Sequence, residues 1–359
     1  QSTASNDAPR LDYSTGSEAF LLEPQSTNLI TYSEAFDNAY WNKTGASVTS
    51  GFSSPSGDTN AFKLVEGTNT GAHFISNAFT SLINNSYSIS IFAKKSENSI
   101  LSITNSGLAQ AEFNLDTGTI ISTGANNSYF TNHVADIVEL SNGWFRCSVS
   151  SNCIQSIVGD FRLHPSISAS FTGDGTSGIY IYGAQLEQNS FSTSYIPTSG
   201  ASATRNQELC NNATPVINSE EGTLYFEGSA LDDDGTDRKI TLSDGSLNNV
   251  INFGFSRFNG NINAEVISGG VLQTSGFGAT GIAQDNNNKF ALSWGGGVSK
   301  FYVNGTLASS YTSVTSPIGM NVLNFTSGSG GQRMYSNTKS LQVYPKALAD
   351  VQLQDLTSW

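Results

Sequence analysis

Charged residues are scarce in this sequence, and basic residues are the scarcer kind. Only 13% of the 359 residues are charged, and 16 Lys and Arg stand against 29 Asp and Glu, for a formal net charge of −13. Binding to a nucleic-acid backbone needs clustered Lys and Arg that neutralise phosphates. The short pair Lys94-Lys95 is typical of a solvated turn at a strand end. No nucleic-acid partner is therefore predicted.

Cysteine is rare as well, since only Cys147, Cys153 and Cys210 occur. An odd number without repeated spacing fits neither a disulfide framework nor a zinc site. Cys147 lies in a predicted strand and is interpreted as a small core residue, while a Cys147–Cys153 hairpin bridge is left open. Long hydrophobic runs and a signal-peptide pattern are also missing, so no membrane insertion is predicted.

Helical patterns are missing from most of the chain, and short strands take their place. Only two Met occur, and no amphipathic block rich in Ala, Leu, Glu and Lys precedes residue 346. Short alternating runs recur between turns rich in Gly, Asn and Ser; the clearest alternates Ile179 and Ile181 with Tyr180 and Tyr182. The chain is therefore predicted to be all-β, with two β-sandwich domains.

Changes in composition predict where these domains begin and end. The predicted parts are an entry segment (1–27), a jelly-roll sandwich (28–200), a polar linker (201–220) and a second sandwich (221–359). Tight hairpins are predicted at Asp116-Thr117-Gly118 and at Asn304-Gly305. A single short helix is predicted over 345–356, with Pro345 at its start.

Catalytic patterns are not found in the sequence. Glycoside hydrolysis needs two carboxylates flanking the bond, roughly 5–10 Å apart, but the strands carry only isolated ones such as Glu227 and Glu265. The histidines His73, His133 and His164 lack the spacing of a zinc site. A non-enzymatic protein is therefore predicted.

One acidic loop could supply the hard oxygen ligands that Ca²⁺ prefers. Its candidate ligands are Asp232, Asp234 and Asp237, although the loop lacks the distal bidentate Glu of an EF-hand. The alternative is a solvated acidic turn without a metal. Calcium is the only cofactor that the sequence suggests.

Aromatic side chains are the candidates for glycan contacts, because their faces pack against the C–H groups of sugars. Tyr129 and Phe130 lie in a polar loop and are predicted to be exposed, and Trp294 and Tyr311 are further candidates in the second sandwich. Other aromatic residues are considered too but are mostly assigned to packing: Trp41, Tyr40, Trp144, Tyr180 and Tyr182.

Several motifs resemble those of known sandwich families. Segment 300–305, which contains Tyr-Val-Asn-Gly, is followed by 339–348 and resembles the hairpin, closing strand and short helix of laminin-G-like, concanavalin-like sandwiches. The opening at 28–41 and the Gly-Ala-Gln-Leu-Glu segment 183–187 resemble jelly-roll carbohydrate-binding modules. That second resemblance implies a structural Ca²⁺ held by the opening and closing strands, near Glu34 and Glu187.

The order of motifs along nearly the whole chain resembles bacteriophage tail-fibre and head-spike fibre proteins. The matching segments are 8–13, 21–29, 142–147, 183–187, 193–198 and 203–205. This resemblance implies a non-enzymatic, extracellular component of the virion surface for host attachment. Its implied partners are host glycans, other virion proteins and further copies of the chain, in a trimer. Two alternatives stay open: a secreted polysaccharide-binding or polysaccharide-cleaving protein, and a purely structural capsid decoration.

Overall fold

The computed structural model describes most of the chain and divides it into two compact units. The described residues are 10–13, 17–105, 108–167, 170–210, 214–258, 260–274 and 278–359. The central unit is Gln25–Asn206. The terminal unit combines the described residues up to Pro24 with Gln207–Trp359. Much of the predicted entry segment, including the start of motif 8–13, lies outside the described residues.

Strands are the dominant elements up to Arg205. They are β1 Leu11–Asp12, β2 Ala19–Leu22, β3 Ser26–Asn28, β4 Asn42–Thr44, β5 Ala46–Phe52, β6 Ala61–Glu66, β7 Thr70–Gly71, β8 Phe74–Ser81, β9 Ser86–Lys95, β10 Ile100–Asn105, β11 Leu108–Asn114, β12 Thr119–Thr123, β13 Phe130–Glu139, β14 Phe145–Cys153, β15 Ile157–His164, β16 Phe171–Thr172, β17 Gly178–Glu187 and β18 Ala203–Arg205. A single turn of 3₁₀ helix, Ser141–Gly143, precedes β14.

The central unit is a sandwich of two six-stranded antiparallel sheets. Sheet I has the order β12-β11-β10-β15-β8-β4, and sheet II has the order β13-β14-β9-β17-β6-β5. Alternate residues of each strand fill one core between the sheets, including Ile91, Cys147 and Ile181, which are fully buried. The jelly-roll-like sandwich expected for this part of the chain is thus an all-β sandwich in the structure.

The terminal unit contains the remaining strands and one helix. They are β19 Gly222–Ala230, β20 Arg238–Ser243, β21 Val250–Phe255, β22 Asn261–Ser268, β23 Val271–Leu272, β24 Gly278–Thr280, β25 Asn288–Gly295, β26 Val298–Val303, β27 Thr306–Thr312, β28 Val322–Asn324, β29 Ser336–Tyr344 and α1 Asp350–Thr357. Sheet III has the order β1-β2-β29-β19-β25-β26-β27, and sheet IV has the order β23-β22-β21-β20-β28, with β24 on β22. The predicted fold class, two β sandwiches and a short C-terminal helix, is confirmed.

The N-terminal strands belong to sheet III, which the sequence did not predict. Phe20 and Leu22 pair with Thr338 and Ser336, and Leu22 lies in the core of the terminal unit. The predicted linker is also partly structured, since Ala203–Arg205 pairs with β3. The described units therefore differ from the predicted boundaries at both ends of the jelly-roll segment.

The helix begins later than Pro345, which corrects the sequence prediction. Residues 345–349 are irregular, and the backbone N–H of Leu348 donates to Oγ1 of Thr223 at 3.1 Å instead of entering a helical hydrogen bond. Val351 was expected in the apolar stripe but is exposed, whereas Leu353 is fully buried against Tyr225 and Tyr302. No helix among the described residues is long and apolar enough to cross a membrane.

The cysteines are unbridged in the part of the chain that is described. Cys147 and Cys153 lie six positions apart on one strand, β14, and both are buried. A strand rises about 3.3 Å per residue, so their Cα atoms are roughly 20 Å apart, far beyond disulfide reach. The Cys147–Cys153 bridge is excluded by this geometry, and Cys147 is the core residue that the sequence predicted.

Candidate functional site

Aromatic side chains line the outer face of sheet II in the central unit. On β17, Ile179 and Ile181 are fully buried in the core, so Tyr180 and Tyr182 point to the opposite face, where they are half-buried. Phe92 on β9 is the register partner of Tyr182 and shares this face. We call Phe52, Phe92, Tyr180, Tyr182 and Tyr195 the aromatic strip.

One half of the strip is formed by Phe52 and Tyr180. Their ring centroids are 4.8 Å apart with the planes tilted by 49°. The Tyr180 hydroxyl has no hydrogen-bond partner among the described residues. Lys63, the register partner of Tyr180 on β6, forms an ion pair with Glu97 at 2.6 Å and donates to the Thr176 carbonyl. That contact lowers the pKa of the Glu97 carboxyl to about 2, so this carboxyl is charged at neutral pH.

The other half of the strip, formed by Phe92, Tyr182 and Tyr195, is held by a larger number of contacts. Tyr195 lies edge-on to Phe92 at 5.6 Å and contacts Tyr182 at 5.9 Å. The guanidinium of Arg146 lies 5.7 Å from the centre of the Phe92 ring, and it donates to the Ser90 hydroxyl at 3.0 Å. These contacts hold the segment that carries Tyr195 against sheet II.

Glu34 joins the strip through two phenolic hydroxyls. Its Oε1 accepts from Tyr182 at 2.8 Å and lies 3.0 Å from the Tyr195 hydroxyl. Burial raises the pKa of both phenols, and the neighbouring Glu34 carboxylate raises them further. Both phenols therefore stay protonated at neutral pH and act as hydrogen-bond donors. The strip thus offers aromatic faces, fixed hydroxyls and charged side chains on one rigid sheet.

The loop pair that the sequence favoured for glycan contact is not exposed as expected. Phe130 is 2% exposed and lies in the core of the central unit, and Tyr129 is half-buried against that core. Phe130 opens β13 opposite Cys153, which turns its ring inward. The Asn127 side chain accepts from both backbone N–H groups and fixes the turn.

The candidates in the second sandwich are also packing residues. Trp294 is fully buried, and its ring lies over Gly222, where a Cβ would come within 2.2 Å of the indole. Tyr311 is half-buried and packs against the core of the terminal unit. A fully buried indole cannot present its face to a sugar, which corrects the exposure expected for Trp294.

The acidic loop is tied to the chain by its own carboxylates. Asp234 accepts from the Thr236 N–H at 3.0 Å and from the Arg238 guanidinium at 2.9 Å. Asp237 accepts from the Arg257 N–H at 2.7 Å and from the Gln332 side chain at 3.0 Å. Within the described residues, no group of three or more His, Cys, Asp or Glu side chains is arranged to hold a metal ion. Calcium binding by Asp232, Asp234 and Asp237 stays a prediction.

Glu187, the other predicted calcium ligand, is buried in a hydrogen-bond network. Its oxygens accept from the hydroxyls of Ser26 and Thr193, from the Thr193 N–H and from the Gln185 amide. This network fastens the segment after β17 to β3. Calcium binding near Glu34 and Glu187 stays a prediction.

Tyr180 and Tyr182 are among the aromatic residues that the sequence mostly assigned to packing. The missed signal is the alternation itself: with Ile179 and Ile181 in the core, the two tyrosines must share the opposite face. Phe52, Phe92 and Tyr195 come from other strands and a loop, so only the paired sheet shows that they meet.

Comparisons with known proteins give limited similarity. No protein-family model matches the chain, and no curated protein matches it. The carbohydrate-binding module CBM40 of the Ruminococcus gnavus IT-sialidase, bound to α2,3-sialyllactose, is 16% identical with a TM-score of 0.33, over 39% of this chain and 83% of that one.

Two further solved structures show a similar level of likeness. The SAP-like pentraxin of Limulus polyphemus is 14% identical with a TM-score of 0.30, over 39% of this chain and 76% of that one. Domains LG4-5 of the mouse laminin α1 chain are 8% identical with a TM-score of 0.29, over 79% and 89%. At such low identities and TM-scores, no argument about ligand or activity follows from these similarities.

Proposed function

We propose that this protein is a non-enzymatic glycan-binding component of a virion fibre or head spike, with the aromatic strip as its sugar-contact surface. The observation that carries the proposal is the placement of Phe52, Tyr180 and Tyr182 on one outer sheet face. Sugar rings stack on such half-buried aromatic faces, and nearby hydroxyls and carboxylates fix their orientation. A site on a sheet is also held rigidly, which lowers the entropy lost on binding.

The virion part of the proposal is supported by the order of motifs along the chain, which resembles phage tail-fibre and head-spike proteins. On this basis the protein acts outside the cell, on the virion surface, among other virion proteins and as a homotrimer. Host glycan is the partner that the strip would contact.

The test is binding of the full chain to a panel of bacterial surface polysaccharides, with a variant that removes the Phe52–Tyr180 half of the strip. Each ring contributes about 0.5–1.5 kcal/mol, so Phe52→Ala with Tyr180→Ala should weaken binding by about fivefold to a hundredfold. Tyr13→Ala is the matched control, since Tyr13 is an exposed tyrosine of the terminal unit. Light scattering of the same samples gives the number of chains per particle.

Three results would each replace the proposal. A polysaccharide that becomes shorter during incubation favours a secreted polysaccharide-cleaving protein. A monomer that binds without shortening the polymer favours a secreted binding protein. An oligomer that retains no polysaccharide favours a structural capsid decoration.

A further inference from the structure

A second polar cluster lies on the outer face of sheet IV, in the terminal unit. On β20, Ile240 and Leu242 fill the core, so Lys239 and Thr241 point away from it. Lys239 on β20 pairs with Gly254 on β21, which pairs in turn with Asn263 on β22. In the same way, Thr241 pairs with Asn252, and Asn252 pairs with Glu265. We call Lys239, Asn252, Asn263 and Glu265 the lysine cluster.

Gly254 shapes the cluster by having no side chain. A Cβ at this position would come within 2.0 Å of the Arg238 carbonyl, so the strands approach closely here. The Lys239 side chain crosses above Gly254, and its Nζ donates to Oδ1 of Asn263. In the next row, Nδ2 of Asn252 donates to Oε2 of Glu265 at 3.0 Å. The Lys239 ammonium thus lies in the same cluster as the side-chain amides of Asn252 and Asn263 and the carboxylate of Glu265.

A loop covers one side of this face. The Thr241 hydroxyl donates to the Thr326 carbonyl at 2.7 Å, and a Cβ built on Gly328 would come within 3.0 Å of the Leu247 side chain, so the loop lies close to the sheet. The Lys239 N–H also donates to the Gln332 carbonyl. Lys239 and Asn252 are therefore more than nine-tenths buried, whereas Asn263 and Glu265 on the far side remain half-exposed. The cluster is therefore buried at Lys239 and Asn252 and accessible to solvent at Asn263 and Glu265.

One buried polar atom of the cluster lacks a partner among the described residues. Oδ1 of Asn252 is buried and accepts no hydrogen bond. Within the described chain, the Lys239 ammonium donates to Asn263 and the Glu265 carboxylate accepts from Asn252. A buried polar group without a partner destabilises the fold unless a ligand or water satisfies it. The cluster thus presents donors and acceptors side by side on adjacent strands.

We propose that the lysine cluster is a second binding site that recognises two adjacent hydroxyl groups of a neutral saccharide. A hydroxyl both donates and accepts, so one can accept from Lys239 while donating to Oδ1 of Asn252. The neighbouring hydroxyl is then within reach of Asn263 and Glu265. An anionic ligand is disfavoured, because Glu265 and Asp237 both lie near Lys239. The site does not depend on the aromatic strip.

The Lys239 side chain also provides the readout for a test. Burial lowers the pKa of its ammonium to about 8, so its titration is separate from that of exposed lysines. Full-length protein with ¹³C-labelled lysine gives one Cε resonance with a midpoint near this pH, which Lys239→Met should remove. Lys346→Met, at an exposed lysine, is the matched control and should remove a different resonance.

The probes are the methyl glycosides of glucose, mannose and galactose, added to the labelled protein. We expect at least one of them to shift the Lys239 resonance with saturation. Asn252→Ala should weaken that binding roughly fivefold to tenfold, and Phe52→Ala with Tyr180→Ala should leave it unchanged. If Lys239→Met does not fold, the midpoint near pH 8 still assigns the resonance.

Three outcomes would overturn the inference. The resonance could stay unmoved by every glycoside, which would mean that only water occupies the cluster. It could move equally in the Asn252→Ala variant, which would exclude recognition by that amide. The shift could vanish with the Phe52 and Tyr180 substitutions, which would assign it to the aromatic strip instead.

Discussion

Gly183 lies against the ring of Tyr195, and a Cβ built on this glycine would come within 3.0 Å of the ring's ζ carbon. The same Cβ would lie 3.0 Å from Cδ2 of Phe92, and the backbone φ of Gly183 is +62°. The glycine also interrupts the register between Tyr182 and Gln185, where β17 forms a bulge. A residue without a side chain is therefore required where the strip is most tightly packed.

Gly183→Ala should destabilise the protein by about 1–3 kcal/mol, because it adds both left-handed backbone strain and a clash with two rings. The free energy of unfolding in urea measures this. Gly57→Ala is the control, since Gly57 also has a positive φ, +93°, but a Cβ added there would meet nothing within 4 Å. Equal losses in the two variants would show that crowding by Tyr195 and Phe92 contributes nothing.

Glu187→Gln should destabilise the central unit much more than the same change at an exposed site. The new amide N–H₂ would face donors that now give hydrogen bonds to a buried carboxylate, at a loss of about 2–4 kcal/mol. Glu97→Gln is the control, because Glu97 is half-exposed and its ion pair with Lys63 contributes about 0–1 kcal/mol. Chemical denaturation of both variants gives the comparison, and a loss at Glu187 no greater than at Glu97 would contradict it.

Calcium binding by the acidic loop is tested by the effect of the ion on thermal unfolding. If Asp232, Asp234 and Asp237 hold Ca²⁺, the midpoint should rise by a few degrees in millimolar Ca²⁺ over EDTA. Asp234→Asn with Asp237→Asn should abolish that rise. Glu34→Gln should abolish it instead if the ion lies at the jelly-roll site. Equal midpoints of the unmodified protein in Ca²⁺ and in EDTA would rule out both sites.

Much of the fold could be predicted because core residues alternate along the strands. The predicted alternation of Ile179 and Ile181 with Tyr180 and Tyr182 is confirmed in strand Gly178–Glu187, where the isoleucines are buried in the core and the tyrosines are half-buried on the other face. The Asn304-Gly305 hairpin is also confirmed, since both residues have positive φ and Val303 pairs with Thr306. In these cases the alternation of side chains and the Asn-Gly pair were sufficient to predict the local structure.

The strands that were missed lack such a pattern. Ala46–Phe52 and Thr306–Thr312 are mostly exposed edge strands with small polar residues, so nothing in their composition separates them from loops. The segment before Asp350 was assigned to the helix because of Pro345, but it is irregular, and its Leu348 N–H donates to Thr223, more than a hundred residues earlier. The structure of these edge strands and of the segment before the helix depends on contacts with residues that are distant in the sequence.

The exposure predicted for the Tyr129-Phe130 pair was wrong for a related reason. Polar neighbours made Tyr129 and Phe130 look exposed, yet Phe130 is buried because it pairs with Cys153, which the local composition cannot show. The aromatic strip brings Phe52, Phe92, Tyr180 and Tyr195 together from three strands and a loop. Its polar partner Glu34 was selected from the sequence as a metal ligand, but in the structure it accepts hydrogen bonds from two tyrosines.

Lys239 should make the stability of the terminal unit depend on pH in the alkaline range. Its pKa is lowered from 10.5 to about 8 by burial, while Asp237 and Glu265 oppose this shift, and Arg333 lies on the adjoining segment. Between about pH 8 and 10.5 the unfolded chain binds more protons at this lysine than the folded chain does, so stability rises with pH in that window. Below pH 8 the folded protein carries the full cost of burying the charged Lys239 ammonium, which lowers the free energy of unfolding by on the order of 3 kcal/mol.

The measurement is urea denaturation from pH 7 to 10 for the unmodified protein and for Lys239→Met, which keeps an apolar stem of similar length. The difference between the two isolates the lysine from tyrosines that titrate at high pH. We expect the unmodified protein to gain about 2–3 kcal/mol relative to the variant across this range. Lys346→Met, at an exposed lysine, should follow the unmodified protein. If the free energy of unfolding changes with pH in the same way for the unmodified protein and for Lys239→Met, the ammonium is solvated in the folded state. Lys239 would then not be the buried part of the lysine cluster.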